Sequence, residues 1–181
     1  MKIIVVISGF TQKNHQNTGS RQLWRELRME RDVMRVGKDA LVYLREWNTD
    51  WKAFAEEINN LAPSDVLVCA YSWGGGFGMP QLCKRLVAPV TCVLCDPVFR
   101  SKTMIGRWAA FCDWKIKVPD NVTVKGHFVQ KAKWYELDGD PLQGGKSLCD
   151  TTILDYTHTE MDESHEYHEA AVTVAKHFLD K

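Results

Sequence analysis

The chain has 181 residues, a length that fits one domain, 1–181, with a substantial core. Its 23 Lys plus Arg balance 23 Asp plus Glu, so the basic excess or stripe expected of a nucleic-acid-binding protein is missing. No apolar run approaches a membrane span, and the first residues lack the basic segment and small-residue cleavage site of a secretory signal, so neither nucleic acid nor integral membrane association is expected.

Apolar strands alternate with helical patterns along the chain. Ile3 to Ile7 reads as a strand, and Arg21 to Arg31 has the charge density of an exposed helix. Ala40 to Leu44 is the second strand. Trp51, Phe54, Ile58 and Leu61 recur at helical spacing after a cap candidate at Asp50. Val66 to Cys69 is the third strand, followed by a glycine-rich turn and a helix reaching Leu86. Pro80 falls inside that helix, so either the helix bends or it begins near Pro80 after a longer turn. Val90 to Cys95 and Val122 to Val129 are the fourth and fifth strands, Thr151 to Tyr156 a candidate sixth, and Glu163 to Leu179 the final helix with Ser164 as a plausible cap.

This alternation predicts an α/β fold: a three-layer sandwich with a mostly parallel five- or six-stranded sheet and helices on both faces. Right-handed crossovers then gather the carboxyl ends of the strands on one edge, where such sheets bind ligands.

Of the six cysteines, Cys92 and Cys95 form C-x-x-C within a strand, where odd spacing sends them to opposite faces. Cys69, Cys83, Cys112 and Cys149 show no metal-ligand spacing, so all six read as free thiols of a reducing, cytoplasmic compartment.

The stretch Val66 to Gly76 carries the chemistry. An apolar strand stops at Ser72 and small residues follow at once, as a nucleophile elbow requires; Ala70 stands where the usual Gly-x-Ser-x-Gly spelling has its first glycine. A serine hydroxyl needs a base to remove its proton, and an acid to orient that base. His158 directly follows the last strand, at the same edge as Ser72, and is the preferred base, with His165 second. His165 and His168 share one helix face at i, i+3 spacing, but no third ligand accompanies them, and no metal is expected. Asp96 ends the fourth strand before Pro97 and is the preferred acid, with Asp138 and Asp140 as competitors. The backbone N–H of Trp73, next to the serine, and that of Phe10, in the loop Ser8-Gly9-Phe10, are the candidate oxyanion donors.

These residues together resemble a small α/β-hydrolase. The order Ser72, Asp96, His158 matches that family's nucleophile, acid and base, Val-Ile-Ser-Gly-Phe10 resembles its oxyanion strand and loop, and His158-Thr-Glu-Met-Asp162 resembles its histidine loop. The likeness covers nearly the whole chain and suggests a minimal version without the family's first strands or a large cap. In most members the acid follows the next strand after the one that Asp96 ends. The resemblance implies acyl transfer from an ester or thioester to water, with a small-molecule substrate and no cofactor. Met104, Ile105, Trp108, Phe111 and Trp114, within Ser101 to Val118, read first as a helix packed on the sheet and second as a small lid; Lys131 to Lys146 reads as a long loop or hairpin. Two other readings compete. One is a non-catalytic binding or scaffold module on the same sheet. The other is a phosphate cradle at Gly74-Gly75-Gly76-Phe77-Gly78, which lacks the Gly-Lys-Ser/Thr ending of a P-loop.

Overall fold

The computed structural model describes residues 1–34, 39–99, 115–131 and 139–180. Six strands form one sheet: β1 (Lys2–Ile7), β2 (Ala40–Arg45), β3 (Asp65–Tyr71), β4 (Val90–Cys95), β6 (Val122–Gln130) and β8 (Thr151–Leu154). Their order is β2-β1-β3-β4-β6-β8, and every pairing is parallel. Two strands absent from the sequence reading, β5 (Ile116–Val118) and β7 (Leu142–Gly144), pair in a small parallel sheet of their own. Residues 116–118 are therefore extended rather than helical, while 101–114, which hold the rest of the expected lid or helix, lie outside the described residues.

The central strands are apolar on both faces because both faces are covered. Ile3 to Ile7 are at most 1% exposed, as a parallel strand between helical layers requires, and burying each such side chain is worth about 1.5–3 kcal/mol. One face packs on α2 (Trp51–Asn60) and α3 (Met79–Cys83), through Ile3, Val5, Ile7, Val68 and Leu94 against Trp51, Phe54, Ile58 and Leu82. The other packs on α1 (Gly19–Val33) and α4 (His165–Asp180), through Ile4, Val6, Cys69 and Cys95 against Leu23, Leu27, Tyr167 and Ala171. Cys92 and Cys95 accordingly sit on opposite faces.

Local signals set the helix starts. Asp50 caps α2, its carboxylate accepting from Lys52 N and Ala53 N at 3.1 Å each. Thr18 caps α1 through Arg21 N. Ser164 precedes α4, but its hydroxyl donates to the Met161 carbonyl at 2.7 Å instead of accepting from the helix. Leu61, expected on the buried face of α2, lies just past the helix end and is 36% exposed. After β3 the chain makes a π-helical turn, Gly74–Gly78, and only then enters α3, so Pro80 falls in the first turn of the α-helix, where a missing N–H costs nothing. The helix closes at Cys83, short of the expected Leu86.

Strand β6 departs from simple alternation. Its register against β4 shifts between Cys92 and Val93, where Val124 and Gly126 are the successive partners, leaving Lys125 as an extra residue. Val122 and Val124 therefore face α2 and α3, while Phe128 faces α1 and α4.

Candidate active site

From β1 the chain turns to α1 on one face, and from the adjacent β3 it turns to α3 on the other. That divergence is the topological switch point of a parallel sheet, the place where a crevice opens beyond the strand ends. Ser72 stands there. It follows β3 with φ at +52°, a left-handed conformation that disfavours any side chain with a Cβ and costs about 1 kcal/mol or more. The turn is held from three sides: Ser72 N donates to Cys95 O, and Ser72 O accepts from Gly75 N, Gly76 N and Val98 N. Asp96, directly after β4, and Thr11, in the loop that follows β1, are left-handed as well, at +43° and +68°. Three of the four non-glycine residues with positive φ among those described thus cluster on this one edge.

The Ser72 hydroxyl lies 2.9 Å from His158 Nε2. His158 Nδ1 lies 2.5 Å from Asp96 Oδ2. A carboxylate only accepts, so Nδ1–H is the donor to Asp96, and in the neutral imidazole Nε2 then presents its lone pair to the serine. Asp96 is fully buried, and its other oxygen accepts from Gln130 N at 3.0 Å, which fixes the carboxylate in place. Gly139 gives it room: a Cβ there would stand 2.7 Å from Asp96 Oδ1.

The competing acid Asp140 is engaged elsewhere. Its carboxylate accepts from Phe99 N at 2.6 Å, and its own N–H donates to Pro97 O, so it ties loops together; Asp138 lies outside the described residues. His165, the second choice of base, is exposed near Glu169. His168 is buried instead of sharing its setting, with Nδ1 on Glu26 and Nε2 on the Asp162 carbonyl at 2.8 Å each, which leaves no nitrogen free for a metal.

Phe10 follows β1 and Trp73 follows Ser72. Neither backbone N–H donates to another described residue, and their rings meet edge to face at 4.8 Å. Gly9 makes this approach possible, since a Cβ on it would lie 3.0 Å from Ser72 Cβ and 2.8 Å from the Tyr71 ring. The glycines after the serine serve packing of the same kind. A Cβ on Gly74 would meet Ser8 O at 2.6 Å, one on Gly75 would meet Pro97 Cβ at 2.8 Å, and one on Gly76 would meet Val98 O at 2.0 Å. Gly75 and Gly76 also spend their N–H groups on Ser72 O, so these amides are not presented as an anion cradle.

Sequence reasoning missed three supporting residues. The Tyr71 phenol donates to the His158 carbonyl. Gln12 Oε1 accepts from Gly9 N at 3.1 Å and from Ser20 Oγ at 3.0 Å, while its Nε2 donates to Asp162 Oδ2 at 2.7 Å. Asp162, buried and with its carboxyl pushed above the usual range mainly by desolvation, also accepts from Ser20 N. Adjacency to the serine was a signal for Tyr71; nothing in the sequence pairs positions 12 and 162.

Burial makes the thiols of β3 and β4 poor nucleophiles. Five cysteines are described, all free; burial pushes Cys69 up to about 12 and holds Cys92 and Cys95 well above the ordinary thiol range. No helix among the described residues is long and apolar enough to cross a membrane. Comparison of the chain with protein-family models, with curated proteins and with solved structures gives no match in any of the three.

Proposed function

We propose that this protein is a serine hydrolase of the α/β-hydrolase type, which cleaves a small-molecule carboxylic ester or thioester through an acyl-enzyme on Ser72. One observation carries the reading: an unbroken hydrogen-bond chain from Ser72 Oγ through His158 to a buried Asp96. In the first half-reaction Ser72 Oγ bonds to the substrate carbonyl carbon as His158 Nε2 takes its proton. The carbonyl oxygen becomes an oxyanion that accepts from Phe10 N–H and Trp73 N–H, where losing one donor typically costs about a hundred- to a thousand-fold in turnover. The tetrahedral intermediate collapses, the bond to the leaving oxygen or sulfur breaks, and His158 Nε2–H supplies that atom's proton. Water then attacks the acyl-enzyme, giving a proton to His158, and collapse returns it to Ser72 with release of the acid. Asp96 holds the imidazole tautomer and offsets its transient charge. No cofactor or metal takes part. We place the protein in the cytoplasm, a reading supported by the five free cysteines among the described residues.

The test is intact-mass analysis after exposure to a fluorophosphonate. Wild type gains one phosphonyl group with loss of fluoride; Ser72→Ala gains none and His158→Ala reacts far more slowly. Well-folded wild type that gains nothing removes the mechanism and leaves the binding or scaffold module as the better reading.

A further inference from the structure

Four aromatic rings crowd the edge beside Ser72, and the hydrolytic steps use none of their π-surfaces. Phe10, Trp47 and Trp73 meet pairwise with centroids at 5.4, 4.8 and 5.0 Å and planes inclined by 54–70°. Phe77 extends the group at 6.4 Å from Trp47. Phe10 is 55% exposed, and Trp47 and Trp73 remain partly exposed. Aromatic surface left open to water beside Ser72 is a candidate binding surface.

Sheet order gives this surface a direction. Trp47 follows β2, Phe10 follows β1, and Trp73 and Phe77 follow β3, whereas Asp96 follows β4 and His158 follows β8. The rings therefore lie across Ser72 from His158. In the proposed reaction the leaving group must face His158, which protonates it, and the oxyanion faces the Phe10 and Trp73 amides. The remaining substituent on the carbonyl carbon, the acyl side chain, is directed toward the rings of those same two residues and on to Trp47.

The chemistry of the surface narrows the guest. Three mutually inclined rings form a corner that offers edge and face contacts to a flat ring, the geometry that aromatic pairs prefer. Trp47 is held in place by Trp51, whose indole N–H donates to the Trp47 carbonyl at 3.1 Å, and by Thr49, which closes the turn on Glu46. Lys13 and Glu46, on the loops that carry Phe10 and Trp47, pair with each other at 3.1 Å, so neither of these two charges is left to hold a charged acyl group. We propose that Phe10, Trp47 and Trp73 form an acyl subsite for an uncharged aromatic acyl group, making the favoured substrates aryl-acyl esters or thioesters. This rests on the serine-hydrolase reading.

The experiment holds the leaving group constant and varies only the acyl part, comparing p-nitrophenyl acetate with p-nitrophenyl phenylacetate. Wild type should show kcat/KM about tenfold or more higher for phenylacetate, Trp47→Ala should bring the ratio close to one, and Trp47→Phe should keep most of it. Turnover of the acetate with no phenylacetate preference, or a preference untouched by Trp47→Ala, overturns the subsite and leaves the hydrolase reading standing. No turnover of either ester, together with no fluorophosphonate adduct, overturns both.

Discussion

Tyr71 Oη donates to the backbone carbonyl of His158 across 2.6 Å, and the two rings lie 5.3 Å apart with 30° between their planes. Tyr71 immediately precedes Ser72, so the end of β3 fixes the serine and the loop carrying its hydrogen-bond partner together. Tyr71→Phe keeps the ring and deletes the donor. Stability should fall by about 1 kcal/mol, and kcat by roughly ten- to a hundredfold through misplaced imidazole, with KM little changed. Denaturant titration and steady-state kinetics on one ester check both; an unchanged kcat would show that ring packing alone holds His158.

Gln12 links the loop after β1 to the histidine loop, and its replacements should separate hydrogen bonding from charge. Gln12→Ala removes the bonds to Gly9 N, Ser20 Oγ and Asp162; because the lost amide N–H favours the Asp162 carboxylate, its loss of stability should grow modestly, and less steeply than that of Gln12→Glu, as pH rises. Gln12→Glu sets a second carboxylate against Asp162, whose carboxyl burial already raises. Two such groups favour retaining a proton when folded, so the native state binds more protons than the unfolded one. Stability of Gln12→Glu should therefore decline relative to wild type as pH rises from about 4 to neutrality. Melting temperatures of the three proteins across that range give the answer, and parallel curves for the two variants would refute the charge argument.

Gly76 is the tightest of the elbow glycines. An added Cβ would lie 2.0 Å from Val98 O and 2.2 Å from Val98 C, both backbone atoms of the loop that follows Asp96. Gly76→Ala should cost about 3 kcal/mol or more and displace Asp96. At Gly78 the obstacle is the Trp51 ring at 2.8 Å, a side chain that can shift, so Gly78→Ala should cost less. Chemical denaturation of the pair should show that order.

His127 is buried in β6, with Nδ1 beside Thr151 Oγ1 at 2.9 Å and Nε2 unpaired. Desolvation pushes its pKa down to about 4 from an ordinary 6.5, opposed in part by Asp96. Between these values the unfolded chain takes up a proton that the native state refuses. The contribution is complete above pH 6.5 and is lost as pH falls toward 4, a loss of about 3 kcal/mol. Urea titrations of wild type and His127→Gln over this range should show that the variant lacks this part of the acid sensitivity; equal slopes would remove His127 as its source.

Much of the architecture was legible because strands and helices of this kind announce themselves locally. Ile3 to Ile7 and Val90 to Cys95 are apolar on both faces, which a strand tolerates only between two helical layers, and Asp50 is a self-contained cap. The serine turn was readable too, because a left-handed residue followed by close backbone approaches demands small neighbours. What the sequence could not supply was anything set by register or by contacts remote along the chain. Val122, Val124 and Phe128 share a parity, yet the extra Lys125 sends Phe128 to the other face. Nothing near Asp96 or Asp140 marks one for His158 and the other for Phe99 N. The pairing of Gln12 with Asp162 spans 150 positions. Local propensity and hydrophobic period thus determined the six strands of the main sheet, the positions of its four helices and the tight serine turn. Only the packed sheet, by bringing the ends of β1, β3, β4 and β8 to one edge, decided which side chains meet there.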